Sequence, residues 1–97
     1  MTRDEIIAKL KETAPALRAK GVTRLAIFGS RARGDSREDS DLDVLIDVDD
    51  AKFEGLDIVR AQDIVRRATG LETQAEMRRS IEPRFAKRIA DDLIEVF

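Results

Sequence analysis

Apolar and polar positions change period several times along this chain, and each change marks an element. Thr2 and Glu5 have the spacing of a capping box, and Ile6, Ile7, Leu10, Ala14 and Leu17 then recur at helical intervals. This predicts a first helix over 3–19, stopped by Gly21, with Pro15 either kinking or dividing it. Val22 to Phe28 is a nearly continuous apolar run that predicts a buried strand, ending at Gly29-Ser30 in a helical turn. Residues 35–40 are polar and turn-forming. Leu42 to Val48 predicts a second strand, its even positions branched and apolar, its odd positions Asp43, Leu45 and Asp47. A helix follows near 56–69, stopped by Gly70. Glu72 to Met77 predicts a third strand, with Thr73, Ala75 and Met77 on one face and Glu72, Gln74 and Glu76 on the other. Ser80 is placed to cap a last helix, with Pro83 in its first turn and Phe85, Ile89 and Leu93 as its buried stripe. The expected order is α-β-(short α)-β-α-β-α, an α/β unit of one domain over residues 1–97.

Composition removes several chemistries. Cysteine and histidine are both absent, which excludes disulfides, thiolate sites, a Ser-His-Asp triad and imidazole as a base or zinc ligand. A metal here has to be held by oxygen, which favours a hard cation such as Mg²⁺. The chain has 42% apolar and 39% charged residues, a net charge of −2 and only four aromatic residues, all Phe. No basic field or base-stacking platform is offered, so direct nucleic-acid binding is not expected. Early acids at Asp4 and Glu5, and the lack of a long apolar run, predict no signal peptide, no membrane contact and a cytoplasmic location.

The remaining chemistry gathers between residues 29 and 43. A strand running through Gly29 and Ser30 into a helical turn exposes backbone N–H groups suited to phosphate. Asp41 and Asp43 are two apart at the start of a strand, so they share a face and repel unless a cation lies between them. Each feature alone has an ordinary explanation: a strand-to-helix turn, or a strand-entry cap with a solvated acid. Together with Arg31 and Arg33 they suit a triphosphate with a divalent cation. The Arg-rich stretch Arg78, Arg79, Arg84, Lys87 and Arg88 fits a solvated helix face paired with Glu82, Asp91 and Asp92, or a surface for an acidic partner or RNA.

The run Gly29-Ser30-Arg31-Ala32-Arg33-Gly34, followed by Ser40-Asp41-Leu42-Asp43, resembles the signature of the DNA polymerase beta-like nucleotidyltransferases. It is most similar to their minimal bacterial members, the antitoxin partners of HEPN-domain toxins, over nearly the whole chain. The resemblance implies a small mixed sheet flanked by helices. It implies that Gly29 and Ser30 hold the triphosphate of ATP, that Arg31 or Arg33 neutralises phosphate charge, and that Ser40 orients the loop. Asp41 and Asp43 would ligate Mg²⁺ and carry catalysis. The implied reaction is transfer of AMP to a tyrosine hydroxyl of a HEPN toxin, in a hetero-oligomer with it. One position departs from the pattern: the third carboxylate of the family falls at Gln74, which has neither charge nor basicity. Two readings follow, an active adenylyltransferase and an impaired one that neutralises its partner by binding alone. Glu76, one strand repeat further on, is a possible substitute for the missing acid.

Overall fold

The capping box at Thr2 forms in a computed structural model of the chain, which describes residues 1–97. The Thr2 hydroxyl accepts from the Glu5 N–H, and the Glu5 carboxylate accepts from the Thr2 N–H, each at 3.2 Å. The helix expected over 3–19 is divided into α1 (Arg3–Glu12) and α2 (Ala14–Ala19). Pro15 lies in the first turn of α2, where its missing N–H is not needed; within one continuous helix its ring would meet a carbonyl of the preceding turn. Next come β1 (Val22–Phe28), α3 (Gly29–Arg33), β2 (Leu42–Val48), α4 (Asp57–Thr69) and β3 (Thr73–Met77). A 3-10 turn (Arg78–Ser80), α5 (Pro83–Ile89) and β4 (Ile94–Glu95) complete the order.

The strands form a mixed sheet in the order β3-β2-β1-β4, with β1 antiparallel to both neighbours and β2 parallel to β3. The parallel pair requires a crossover, which α4 supplies. Alternation along the strands sorts side chains to two faces. Leu25, Ile27, Leu42, Val44, Ile46 and Ala75 form the main core with Ile6, Leu10, Leu17, Ala61 and Val65 from α1, α2 and α4. The other face is covered only in its middle, where Ala26, Phe28 and Leu45 meet Ile89 of α5, with Ile81, Phe85 and Leu93 around them. At one end of that face Arg24 and Arg78 are each shared between Asp47 and Glu95. Asp43 lies at the other end.

Three features of the C-terminal third differ from expectation. The last helix starts at Pro83 with Glu82 as its cap, while Ser80 belongs to the 3-10 turn; proline drives the residue before it into extended backbone, and Glu82 has φ −69° and ψ 149°. The helix ends at Ile89, so Leu93 packs from beyond it. The chain then adds β4, unforeseen in the sequence, against Ala26 and Ile27. No helix is long and apolar enough to cross a membrane.

Candidate active site

β1 delivers the chain to the site in extended form, and Gly29 turns it into α3 with φ +75°. A side chain is disfavoured at that angle, and a second constraint acts at the same place. A Cβ on Gly29 would stand 2.5 Å from Oδ2 of Asp43, because Phe28 pairs with Asp43 across the β1–β2 ladder. A side chain on residue 29 would therefore displace the neighbouring carboxylate, a consequence not visible in the sequence. No side chain caps the start of α3. Ser30 is half-buried, and its carbonyl accepts from the N–H groups of Gly34 and Asp35.

The two arginines of the motif have opposite fates. Arg31 is turned inward, 5% exposed, and donates to the Ser40 carbonyl at 2.9 and 3.2 Å and to the Glu38 carbonyl at 3.1 Å. The geometry ties Arg31 to the loop that leads to Asp41. The Ser40 hydroxyl accepts from the Arg37 N–H at 2.9 Å, so the same loop is held from its own side as well. Arg33 is exposed and bridges Asp35 at 3.1 Å and Asp92 at 2.8 Å. Those two carboxylates, Asp35 foremost, raise its proton affinity. The Asp92 tether joins α3 to the segment after α5, across 59 residues, and nothing local in the sequence signals it.

Asp41 is exposed just before β2, and Asp43 is half-buried within it. Burial first, then the charges of Asp41 and Glu76, push the Asp43 carboxyl above its ordinary value, while Arg33 opposes them. Neither Asp41 nor Asp43 takes part in an ion pair. Gln74 stands directly opposite Asp43 on the parallel strand β3, and Glu76 stands opposite Leu45, one repeat away. No group of three or more acidic side chains converges on one point. The donor set is thus two carboxylates, unneutralised and mutually repelling. It fits Mg²⁺, which is commonly held by one or two carboxylates together with water and substrate phosphates. The two surface cavities, of about 230 and 160 Å³, lie elsewhere, beside Gly21 and Lys52 and beside Val59 and Gln62. Neither cavity is lined by Asp41 or Asp43.

Comparison with known proteins agrees with this architecture. Protein adenylyltransferase MntA of Thermococcus cleftensis is 29% identical over 97 residues, spanning 99% of this chain and 97% of the relative. A solved structure ascribed to a minimal nucleotidyltransferase superposes with a TM-score of 0.82 at 28% identity, covering 97% of this chain and 95% of that one. A chain from the complex of tri-AMPylated Shewanella oneidensis HEPN toxin with MNT antitoxin shares the fold, with a TM-score of 0.71 at 11% identity, covering 99% of this chain and 72% of that one. The family model described as nucleotidyltransferase domain matches residues 5–96. With that match over nearly its whole length, the chain belongs to the nucleotidyltransferase domain family.

Proposed function

We propose that this chain is a protein adenylyltransferase of the antitoxin kind, which moves AMP from ATP to a tyrosine hydroxyl of a HEPN-domain toxin in the cytoplasm and so neutralises it. The observation that carries the reading is the seating of Asp43 against Gly29 at the uncapped start of α3. It brings an unneutralised carboxylate and a phosphate-binding turn to one point. The name of the Thermococcus relative and the AMPylated toxin in the Shewanella complex support the choice of protein as acceptor.

In this reading Asp41 and Asp43 hold Mg²⁺, Gly29 and Ser30 bind the triphosphate, and Arg33 offsets its charge. When bound, the ion supplies Lewis-acid polarisation of the phosphoryl oxygens. Arg31 and Ser40 fix the loop so that Asp41 and Asp43 keep their spacing. The tyrosine oxygen attacks the α-phosphorus, a new P–O bond forms, and the bond to the β-phosphate oxygen breaks to release pyrophosphate. The tyrosine proton leaves to a carboxylate of the site or to solvent, because Gln74 offers no basic atom beside Asp43.

That same Gln74 favours a second reading, in which the chain keeps the fold and neutralises its partner by binding alone. Both are tested by incubating the purified chain with any HEPN-domain protein found encoded in a neighbouring reading frame, ATP and Mg²⁺, then measuring the intact mass of that protein. AMP added to tyrosine by the wild type, and not by Asp43→Asn, is the expected result. A stable, inhibited complex without AMP selects the second reading. Absence of both complex and AMP removes the two together.

A further inference from the structure

The cations of α5 have no acidic partners in this fold. Arg84, Lys87 and Arg88 are exposed, and none of them enters an ion pair. Of the acids that flank the helix, Asp92 holds Arg33, while Glu82 and Asp91 pair with none of the three. Nearby cations behave differently: Arg78 is shared by Asp47 and Glu95, and Arg79 sits on Asp50. Residues 84, 87 and 88 are three and four apart, so they share one face of a seven-residue helix that contains no acid. Phe85 and Ile89 take the adjoining face and pack on the sheet.

This cationic face borders the candidate site. The Phe85 ring meets Phe28 edge-on at 5.7 Å, and Phe28 precedes Gly29 and pairs with Asp43. Arg88 lies over the Phe85 ring, 5.2 Å from its centre, which holds its guanidinium near that contact. The Arg33–Asp92 bridge ties the segment after α5 to α3. Because Phe85 and Ile89 of α5 pack on the same sheet face beside Phe28, a macromolecule that brings a group to Asp43 also approaches α5.

We propose that Arg84, Lys87 and Arg88 form a docking surface for an acidic stretch of the protein that receives the nucleotidyl group. That this partner accepts the nucleotidyl group rests on the transfer reading above; the unpaired surface does not. A protein fits better than a nucleic acid. A phosphodiester backbone laid here would run into Asp41, Asp43 and Glu76, the net charge of −2 gives no long-range attraction, and the one nearby ring, Phe85, is already covered by Phe28 and Arg88. Discrete carboxylates on a folded partner can meet three cations and avoid the acids at either side. Exposed pairs of this kind act mainly on the rate of encounter and the choice of partner.

The test uses the full chain and two fluorescent probes at low salt: a Glu- and Asp-rich peptide containing one tyrosine, and an RNA oligomer of equal charge. The wild type binds the peptide, and binding weakens as salt rises. R84E/K87E, which leaves Arg88 on Phe85, weakens it by about tenfold or more. R66E/R67E, an equal charge change on α4, does not. R84Q/K87Q shows a smaller loss in the same direction and replaces the reversal if that variant does not fold. Failure of the wild type to bind the peptide overturns the proposal, as does equal loss in R66E/R67E. Tighter binding of RNA, released by R84E/K87E, reassigns the surface to nucleic acid. Loss of the Mg-ATP thermal shift in R84E/K87E alone places these cations in the nucleotide site instead. Absence of that shift in the wild type removes the transfer reading, while the peptide data decide the docking surface separately.

Discussion

Replacing Gly29 with alanine separates backbone strain from damage to the site, because Gly34 provides a matched control. Both glycines have positive φ, +75° and +85°. A Cβ at Gly34 would meet nothing within 4 Å, whereas at Gly29 it would lie 2.5 Å from Asp43 Oδ2. Holding an L-residue in the left-handed region costs about 1–2 kcal/mol, so both variants should lose that much. For a chain of this size that lowers Tm by roughly 5–15 °C. The added clash at Gly29 is with the end of a short, rotatable side chain. The carboxylate can swing about 1 Å to reach ordinary contact, which adds little to the stability loss, yet a displacement that size is enough to disrupt a bound-ion geometry. Gly29→Ala and Gly34→Ala should therefore melt within about 1 kcal/mol of each other. Only Gly29→Ala should lose the stabilisation by Mg-ATP, read by thermal shift and calorimetry with the AMP-transfer assay. If Gly29→Ala keeps its Mg-ATP response, or Gly34→Ala loses it equally, the Gly29–Asp43 contact is not what shapes the site.

Asp43→Asn should stabilise the metal-free chain at neutral pH. Burial and the charges of Asp41 and Glu76 raise the Asp43 pKa, so its folded form binds a proton more tightly than its unfolded form. Its contribution is fully present below the unfolded pKa and is lost as pH rises through the folded one. The advantage of Asn should thus fade toward acid pH, and added Mg²⁺ should stabilise only the wild type; denaturant melts across pH that show no such convergence contradict the assignment. Arg31→Gln removes charged donors from the Ser40 and Glu38 carbonyls and should cost about 2–3 kcal/mol in denaturant unfolding. Unchanged stability with lost nucleotide binding would return Arg31 to the phosphate. Gln74→Asp places a third carboxylate opposite Asp43, and should lower metal-free stability, tighten Mg²⁺ binding and accelerate AMP transfer. General-base assistance is worth about 10²–10⁴-fold, so even partial gain is measurable; a wild type already fast and indifferent to the change would end the argument from Gln74.

What the sequence determined by itself was local. The strands at Val22–Phe28 and Leu42–Val48, and the helix that joins the parallel pair, follow from apolar periodicity and from glycine and proline as stops, because one face of each must find a core. The motif residues could be named for the same reason: Gly29, Ser30, Asp41 and Asp43 lie within one stretch whose spacing is readable. Partnership between distant residues was decided only by the tertiary structure. β4 has two residues, too few to carry a period, and exists because β1 offers it a free edge. Arg31 and Arg33 are indistinguishable in sequence, yet the loop carbonyls draw one inward and Asp92 holds the other outside. The register of β3 sets Gln74 beside Asp43. Asp92 bonds to Arg33 of α3 and to none of the α5 cations that lie closer to it in the chain. Periodicity fixes which way a side chain faces within its own element; which charge it meets depends on how elements far apart in the chain are brought together.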